Sequence, residues 1–253
     1  MLALEWLHNA QGIMEKIRQT QLENIKKASV IMADTIEKGK WVHTFGCGHA
    51  TIPVEEMYPR IGGFVGFHPM VELPLTYFTH ITGEMGIHQF LFLERAEGFG
   101  VEIMKAYNFD PSDSMWIFSH TGINNVNIDV ALEARKKGMK VIVYGSAAEA
   151  KGKKSRHSCG KTLFDLADVV VDTCVPIVDA SVVLKNHYDK IGPVSTMGFI
   201  TTVWMTITTV AEILADRGVK LHIHPSHNVP GDTTARQRLD EALAEYKRRI
   251  AGL

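Results

Sequence analysis

Two short turns in the sequence carry residue types suited to binding a small anionic ligand. The first, Gly46-Cys47-Gly48-His49, follows the apolar run Trp41 to Phe45, and its two glycines allow the backbone to approach a bound molecule closely. The second, Ser119 to Asn125, follows the apolar run Met115 to Phe118. Its hydroxyls, and the N–H groups that open the next helix, favour an anion. The first turn is neither a P-loop nor a full dinucleotide fingerprint, because it lacks the Gly-Lys-Ser/Thr ending and Thr51 stands at the third glycine position.

We therefore predict that both turns contact the ligand. Two hydroxyls at the start of a later apolar helix are a further candidate anion contact, although an ordinary helix N-cap would use the same residue types. The predicted binding residues are Gly46, Cys47, Gly48, His49, Ser119, His120, Thr121, Gly122, Asn124, Ser195 and Thr196.

Several histidines and glutamates could supply acid–base chemistry or bind a metal. His187 precedes the later apolar helix, where a ring-opening histidine could reach the site, including that of a partner subunit. A pair of carboxylates could supply the acid and the base, although the glutamates on predicted helices (55, 56, 94 and 97) could equally be solvated helix positions. His222, His224 and His227 have a spacing that could hold zinc, but no nearby Cys or carboxylate completes the set, so we expect surface histidines and no metal.

Composition and charge argue against several classes of function for this protein. The 253 residues suffice for one good core. A formal net charge of -1 argues against a general nucleic-acid or acidic-membrane binder, because such partners favour an excess of Lys and Arg. Three widely spaced cysteines and the lack of a signal-peptide pattern favour a reducing compartment, and we expect a cytoplasmic protein.

One uncharged run, Ile191 to Ala211, has the length of a membrane span. Its seven Ser and Thr residues dilute its hydrophobicity, and the rest of the chain has the pattern of a soluble protein. We therefore predict a buried helix here and no membrane partner.

The rest of the sequence alternates apolar strands with helices. Helical periodicity from about Leu4 to Glu37 predicts one or two amphipathic helices that end at Gly39. The predicted strands are 41–45, 62–67, 115–118, 140–144 and 168–172, and the later predicted helices are 51–58, 88–107, 126–137, 191–211 and 234–250. Because continuous Val/Ile strands separated by helices are typical of a parallel sheet covered on both faces, we predict an α/β fold, a three-layer α-β-α sandwich with a mainly parallel sheet. The predicted single domain, 1–253, comprises an N-terminal helical extension (1–40), an α/β core (41–215) and a C-terminal tail and helix (216–253).

Together the two turns resemble those of the sugar isomerase (SIS) domain family. The similarity rests on the Gly-x-Gly-His-Ala turn, the Ser-x-Thr-Gly turn and the run NIDVALEARKKGMKVIVYGS, and it covers about Trp41 to Leu214. The runs SRHSCGKTLFDLADVVVDTCVPIVDA and GPVSTMGF look like a stand-alone bacterial subgroup. The resemblance implies a flavodoxin-like sheet topology, and a second turn that grips the phosphate of a phosphosugar.

A finer resemblance concerns the glutamates. The segment EEMYPRIGG is similar to an acidic segment of N-acetylmuramic acid 6-phosphate etherases, and ERAEG is similar to their second acidic motif, Gly-Ala-Glu-Asp. Carried over by position, Glu56 and Glu97 fall on that family's acid–base glutamates. The sequence departs from the etherases at Gly98, where they have Asp. Phosphoheptose isomerases place a glutamate after the first turn at a longer spacing, which lands on Arg60.

From the turns and the resemblance we predict a phosphosugar-binding enzyme without cofactor, an aldose–ketose sugar phosphate isomerase that uses glutamate acid–base catalysis. The predicted catalytic residues are Glu56, Glu97 and His187. The alternatives are a lyase or etherase acting on an N-acetylmuramic acid 6-phosphate-like substrate, and a non-catalytic sugar-phosphate sensor. The resemblance further implies a homodimer or homotetramer with sites near the interface.

Overall fold

A computed structural model describes residues 1–57, 59–76 and 86–253 of the chain. Five strands form the central sheet: β1 (Val42–Gly46), β2 (Phe67–Pro69), β3 (Ser114–Phe118), β4 (Lys140–Gly145) and β5 (Val169–Asp172). The helices are α1 (Leu2–Thr20), α2 (Leu22–Glu37), α3 (Ile52–Glu56), α4 (Leu73–Thr76), α5 (Gly86–Leu93), α6 (Phe99–Met104), α7 (Asn125–Lys136), α8 (Ala147–Ala150), α9 (Leu163–Leu166), α10 (Ser195–Asp216) and α11 (Ala235–Ile250). A 3-10 turn, Gly48–Thr51, joins β1 to α3, whereas the sequence predicted a single helix over 51–58; residue 58 lies outside the described residues.

The sheet has the order β2-β1-β3-β4-β5, and every neighbouring pair of strands is parallel. This is the flavodoxin-like order, so the predicted fold class is confirmed. The order reverses between β1 and β3, which pair in register from Val42 with Ser114 to Gly46 with Phe118. Ligands of such sheets bind beyond the carboxyl ends of the strands at this reversal.

Alternating side chains of β3 divide the core between the two faces of the sheet. Trp116 and Phe118 point into a cluster formed with α1, α2, α3 and α10. Met115 and Ile117 point into a second cluster formed with α6, α7 and α9. The result is the three-layer sandwich expected for a parallel sheet, and the N-terminal helices are part of one layer rather than an appendage.

Helix α10 is the apolar run that the sequence singled out. It is the one described helix long and apolar enough to cross a membrane by length and composition. Phe199, Val203 and Val210 on this helix are buried in the same cluster as Met32 and Ala33 of α2. The run therefore forms a core helix in this structure, as the sequence analysis predicted.

The predicted helix over 88–107 is instead two helices. Gly98, between α5 and α6, has a left-handed backbone with φ of +91°. The carboxylate of Asp129 accepts hydrogen bonds from the N–H groups of Gly98 and Gly100, at 2.7 and 3.2 Å. A Cβ at Gly100 would lie 2.5 Å from the backbone oxygen of Val126 in α7. Glycine is therefore required where α6 packs on α7, and the chain turns sharply before it.

A buried polar cluster joins β1 to the edge strand β2. The Nδ1 atoms of His43 and His68 lie 3.0 Å apart, and His43 Nε2 lies 3.2 Å from the carboxylate of Asp113. Asp113 also accepts a hydrogen bond of 2.9 Å from the N–H of Trp41. Burial, reinforced by His43, lowers the pKa of His68 to about 4. His68 is therefore a neutral imidazole at physiological pH.

Candidate functional site

A cleft of about 300 Å³ opens at the carboxyl ends of β1 and β3, where the strand order reverses. Most of the predicted binding residues line it. The lining residues are Cys47, Gly48, His49, Ala50, Phe90, Glu94, Ser119, His120, Thr121, Asn124, Asn127, Asp179, Pro193, Ser195, Thr196 and Phe199.

The first predicted turn forms one wall of the cleft and depends on its glycines. A Cβ at Gly46 would lie 2.2 Å from the backbone oxygen of Ala50, so the turn can close only with glycine at this position. Gly46 itself does not line the cleft. Gly48 has φ of +61°, and a Cβ there would lie 2.6 Å from the ring of Phe90. Burial raises the pKa of the Cys47 thiol well above its ordinary value, so this cysteine is a neutral wall residue.

The second predicted turn presents unpaired backbone donors just before α7. Ser119 is buried, and its Oγ accepts a hydrogen bond of 3.1 Å from the N–H of Gly122. Within the described part of the chain, the N–H groups of His120 and Thr121 have no hydrogen-bond partner. Gly122 lies beneath the turn with φ of +68°, where a Cβ would lie 2.2 Å from the ring of Phe164. Unpaired N–H groups and a helix N-terminus attract an anion.

His120 brings an imidazole with no protein partner into the cleft. Both ring nitrogens are buried, and neither has a hydrogen-bond partner among the described residues. Burial lowers the pKa of His120, although the negative charges of Asp179 and Glu149 raise it in part. A neutral imidazole donates at one nitrogen and accepts at the other, so His120 can serve two ligand oxygens.

Glu94 is a cleft residue that the sequence analysis did not select. Its N–H donates to the carbonyl of Phe90 at 2.9 Å, which extends α5 into the turn that follows. The residue is only 7% exposed, and this burial raises the pKa of its carboxyl. The charges of Arg95 and Arg156 and a hydrogen bond from Asn124 lower the pKa, but their effect is smaller than that of burial. A buried carboxyl with a raised pKa in a polar cleft suits proton transfer at neutral pH.

Asp179 is the second carboxylate that sequence analysis missed. It lies in the segment between β5 and α10, near the end of the run that carried the subgroup resemblance, but no residue role was predicted there. One carboxylate oxygen accepts hydrogen bonds of 2.8 Å from the N–H groups of both Val194 and Ser195. The other accepts the hydroxyl of Ser195. The N-terminus of α10 therefore already carries an anion, while Thr196 also faces the cleft.

Two predicted catalytic glutamates lie outside this cleft. Glu56 accepts a hydrogen bond of 2.9 Å from the indole N–H of Trp204 and pairs with Arg60, in a separate small pocket. Glu97 accepts hydrogen bonds from the hydroxyl and the N–H of Ser158, which lower the pKa of its carboxyl. Both carboxylates thus hold parts of the fold together in this structure.

The remaining histidines are also dispersed. His187 is exposed on the loop between the bridged residues Val182 and Ile191, and it does not line the cleft. His222 and His224 line two different pockets. Among the residues that the structure describes, no group of three or more His, Cys, Asp or Glu is arranged to hold a metal.

Comparison with known proteins agrees with this fold. Residues 5–146 match the sequence model of the SIS domain. The chain is 30% identical to a UPF0309 protein of Thermoanaerobacter pseudethanolicus over 256 aligned positions, which cover 100% of both chains. It is 35% identical to a UPF0309 protein of Listeria monocytogenes over 185 positions, which cover 73% of this chain and 72% of that protein.

Two solved structures share the fold at low sequence identity. A phosphoheptose isomerase from Francisella tularensis superimposes with a TM-score of 0.53 and 13% identity, over 84% of this chain and 100% of that one. A phosphoheptose isomerase from Neisseria gonorrhoeae superimposes with a TM-score of 0.54 and 12% identity, over 82% of this chain and 94% of that one.

Proposed function

The chain belongs to the SIS domain family, and on that premise we propose that it is a cofactor-independent isomerase of a sugar phosphate. The observation that carries the proposal is the presence, in one cleft, of an open anion-binding turn and a buried carboxyl with a raised pKa. The family membership and the shared fold support binding of a phosphosugar, and the cleft residues support the chemistry.

In the proposed complex, the phosphate of the sugar binds at the second turn. The unpaired N–H groups of His120 and Thr121 and the hydroxyl of Thr121 donate hydrogen bonds to its oxygens. The positive end of the α7 dipole adds a favourable interaction with the phosphate charge. Fixing the phosphate would hold the reacting carbons at a constant distance from the other wall of the cleft.

Glu94 transfers the carbon-bound proton in this proposal. Its carboxylate takes the proton from the carbon beside the carbonyl, which leaves an enediolate, and returns the proton to the neighbouring carbon. Its raised pKa brings the carboxyl closer to the working pH, where one group can both accept and return a proton. The oxygen-bound proton moves separately, and the neutral imidazole of His120 can donate to one oxygen and accept from the other.

The alternative reactions have less support in the cleft. An etherase mechanism with Glu56 and Glu97 would need both carboxylates at the substrate, and neither lines the cleft in this structure. A sugar-phosphate sensor needs the anion-binding turn but not a carboxyl with a raised pKa. The buried Glu94 therefore favours the isomerase.

The test is proton NMR in deuterated water with a panel of pentose, hexose, heptose and amino-sugar phosphates and N-acetylmuramic acid 6-phosphate. Deuterium entering the carbon beside the carbonyl, with a new aldose or ketose signal that the Glu94→Gln variant does not produce, supports the isomerase. Release of lactate would move the assignment to an etherase. Broadening of the NMR signals of a sugar phosphate without any reaction would indicate a non-catalytic sensor.

We propose in addition that the chain forms a homo-oligomer. Trp6 and Asn9 of α1 donate hydrogen bonds to the carbonyls of Pro193 and Ser181, so α1 and the loop before α10 form one surface. This surface exposes several large apolar side chains and carries His187. The exposed apolar residues are Leu2, Leu4, Leu7, Val183 and Tyr188. A dimer or larger species by light scattering at micromolar concentration is expected, and a monomer would contradict it.

A further inference from the structure

The cleft has two helix N-termini, and they differ in charge. In the turn before α7, the N–H groups of His120 and Thr121 have no partner among the described residues, whereas the N–H of Val126 in the first turn of α7 donates to the carbonyl of Glu94 at 3.3 Å. The N-terminus of α10 is occupied by the carboxylate of Asp179, which accepts three hydrogen bonds from Val194 and Ser195. The turn before α7 thus offers free N–H donors to an anion, while the start of α10 already carries a carboxylate.

The position of Asp179 is held by the backbone before it. Val178 has φ of +66°, a left-handed conformation that a β-branched residue adopts only under strain. Its N–H donates to the carboxylate of Glu149 at 3.1 Å, and Glu149 pairs with Lys153. Since a strained conformation persists only where its surroundings fix it, Asp179 has a fixed place at the helix N-terminus.

The charge of the cleft reinforces the difference between the two helix starts. Glu94 and Asp179 both line the cleft, and none of its described lining residues is Lys or Arg. His120, whose pKa is lowered by burial, supplies no positive charge at neutral pH. The charges of Arg95 and Arg156 act on Glu94 from outside the described lining. Lys153 acts on His120, also from outside it. A second anionic group on the ligand would therefore face carboxylates in the cleft wall itself, which costs binding free energy.

We infer that Asp179 is a specificity-determining residue, which restricts the cleft to sugar phosphates with one anionic group and selects against sugar acids and bisphosphates. One oxygen of Asp179 accepts two N–H groups, and the other accepts one hydroxyl, which leaves an acceptor site for a hydroxyl or amino group of the ligand. This inference rests on the proposed function and deepens it. It also disfavours N-acetylmuramic acid 6-phosphate, because the lactyl group of that sugar carries a carboxylate.

The test compares two unreactive ligands that differ at one carbon. Sorbitol 6-phosphate ends in a hydroxymethyl group, and 6-phosphogluconate ends in a carboxylate. By isothermal titration calorimetry, the unmodified protein is expected to bind sorbitol 6-phosphate at least about tenfold more tightly. In Asp179→Asn, the difference is expected to fall to within about threefold, through tighter binding of 6-phosphogluconate.

The matched control is Asp189→Asn, which removes the same charge from an exposed loop outside the cleft and should leave the difference unchanged. Equal binding of both ligands by the unmodified protein would overturn the inference even if Asp179→Asn fails to fold. An undiminished difference in a folded Asp179→Asn variant would overturn it as well. The proposed function fails separately, if sorbitol 6-phosphate does not bind or if Thr121→Ala, which removes a hydroxyl proposed to donate to the phosphate, leaves its binding unchanged.

Discussion

The side-chain amide of Asn124 donates a hydrogen bond of 2.7 Å to the carboxylate of Glu94. The carbonyl oxygen of the same amide accepts the guanidinium of Arg156. Asn124 therefore ties the proposed proton-transfer group to the N-terminus of α7, where we propose that the phosphate binds. In the proposed complex, binding of the phosphate and the protonation of Glu94 would be linked through this one side chain.

Glu94→Gln is expected to lower kcat by about a hundredfold or more, because the amide cannot accept the carbon-bound proton. The dissociation constant of sorbitol 6-phosphate should change by less than about threefold, since the phosphate contacts remain. The matched control is Glu97→Gln, which removes a carboxylate three residues away and outside the cleft. A larger loss of kcat in Glu97→Gln than in Glu94→Gln would show that the etherase-like assignment of the glutamates is correct after all.

The pH dependence of kcat/KM should report Glu94. Because burial raises its pKa, a base at this position loses activity as the pH falls through a value above that of an ordinary glutamate. The hydrogen bond from Asn124 and the charge of Arg156 both lower this pKa. Removing either partner, in Asn124→Ala or Arg156→Gln, should therefore move the acid limb to higher pH. A shift to lower pH in both variants would exclude Glu94 as the titrating group.

Gly122→Ala is expected to damage the anion-binding turn. Alanine at φ of +68° is strained, and its Cβ would lie 2.2 Å from the ring of Phe164. We expect a loss of about 1–3 kcal/mol in the free energy of unfolding and weaker binding of inorganic phosphate. Denaturant unfolding and calorimetry measure the two effects. Gly152→Ala is the control, since Gly152 also has positive φ but its Cβ would have no neighbour within 4 Å. Equal phosphate affinity in all three proteins would contradict this role of the turn.

His68 is expected to make the fold less stable in mild acid. Its pKa falls from the ordinary 6.5 to about 4 in the folded state, so the unfolded chain binds the proton first as the pH falls. The contribution of His68 to the free energy of unfolding is fully present above about pH 6.5. It is lost progressively toward pH 4, and the loss amounts to roughly 2–3 kcal/mol. His68→Gln should flatten the dependence of the unfolding free energy on pH across this window, whereas His8→Gln, on the exposed face of α1, should not. An identical slope in both variants would show that His68 does not cause the acid sensitivity.

The fold was predictable because the sequence patterns that specify it each lie within a single strand or helix. The Val/Ile run of β4 and the helical periodicity of α7 each specify one element, and their alternation specifies a parallel sheet with helices on both faces. The two turns were predictable for the same reason, since each follows a strand directly. Most of their predicted residues line one cleft.

The carboxylates of the cleft were not predictable in this way. On one continuous helix, Glu94 and Glu97 would lie one turn apart on the same face, and the motif resemblance selected Glu97. The helix ends at Leu93, and the turn at Gly98 directs Glu97 to Ser158 and leaves Glu94 in the cleft. Asp179 stands in a run that resembles a family subgroup, but no local pattern marks its role, because that role depends on contacts with the start of α10.

The walls of the cleft come from segments that are far apart in the chain, since Cys47, Glu94, Ser119 and Asp179 all face it. Closing these loops requires β1, β3 and α10 to be in place together, so a partly folded chain that lacks one of them has an incomplete cleft. A sugar phosphate would therefore bind the native state alone and shift the folding equilibrium toward it by mass action. In a cell, the supply of substrate would then influence how much of this protein survives proteolysis.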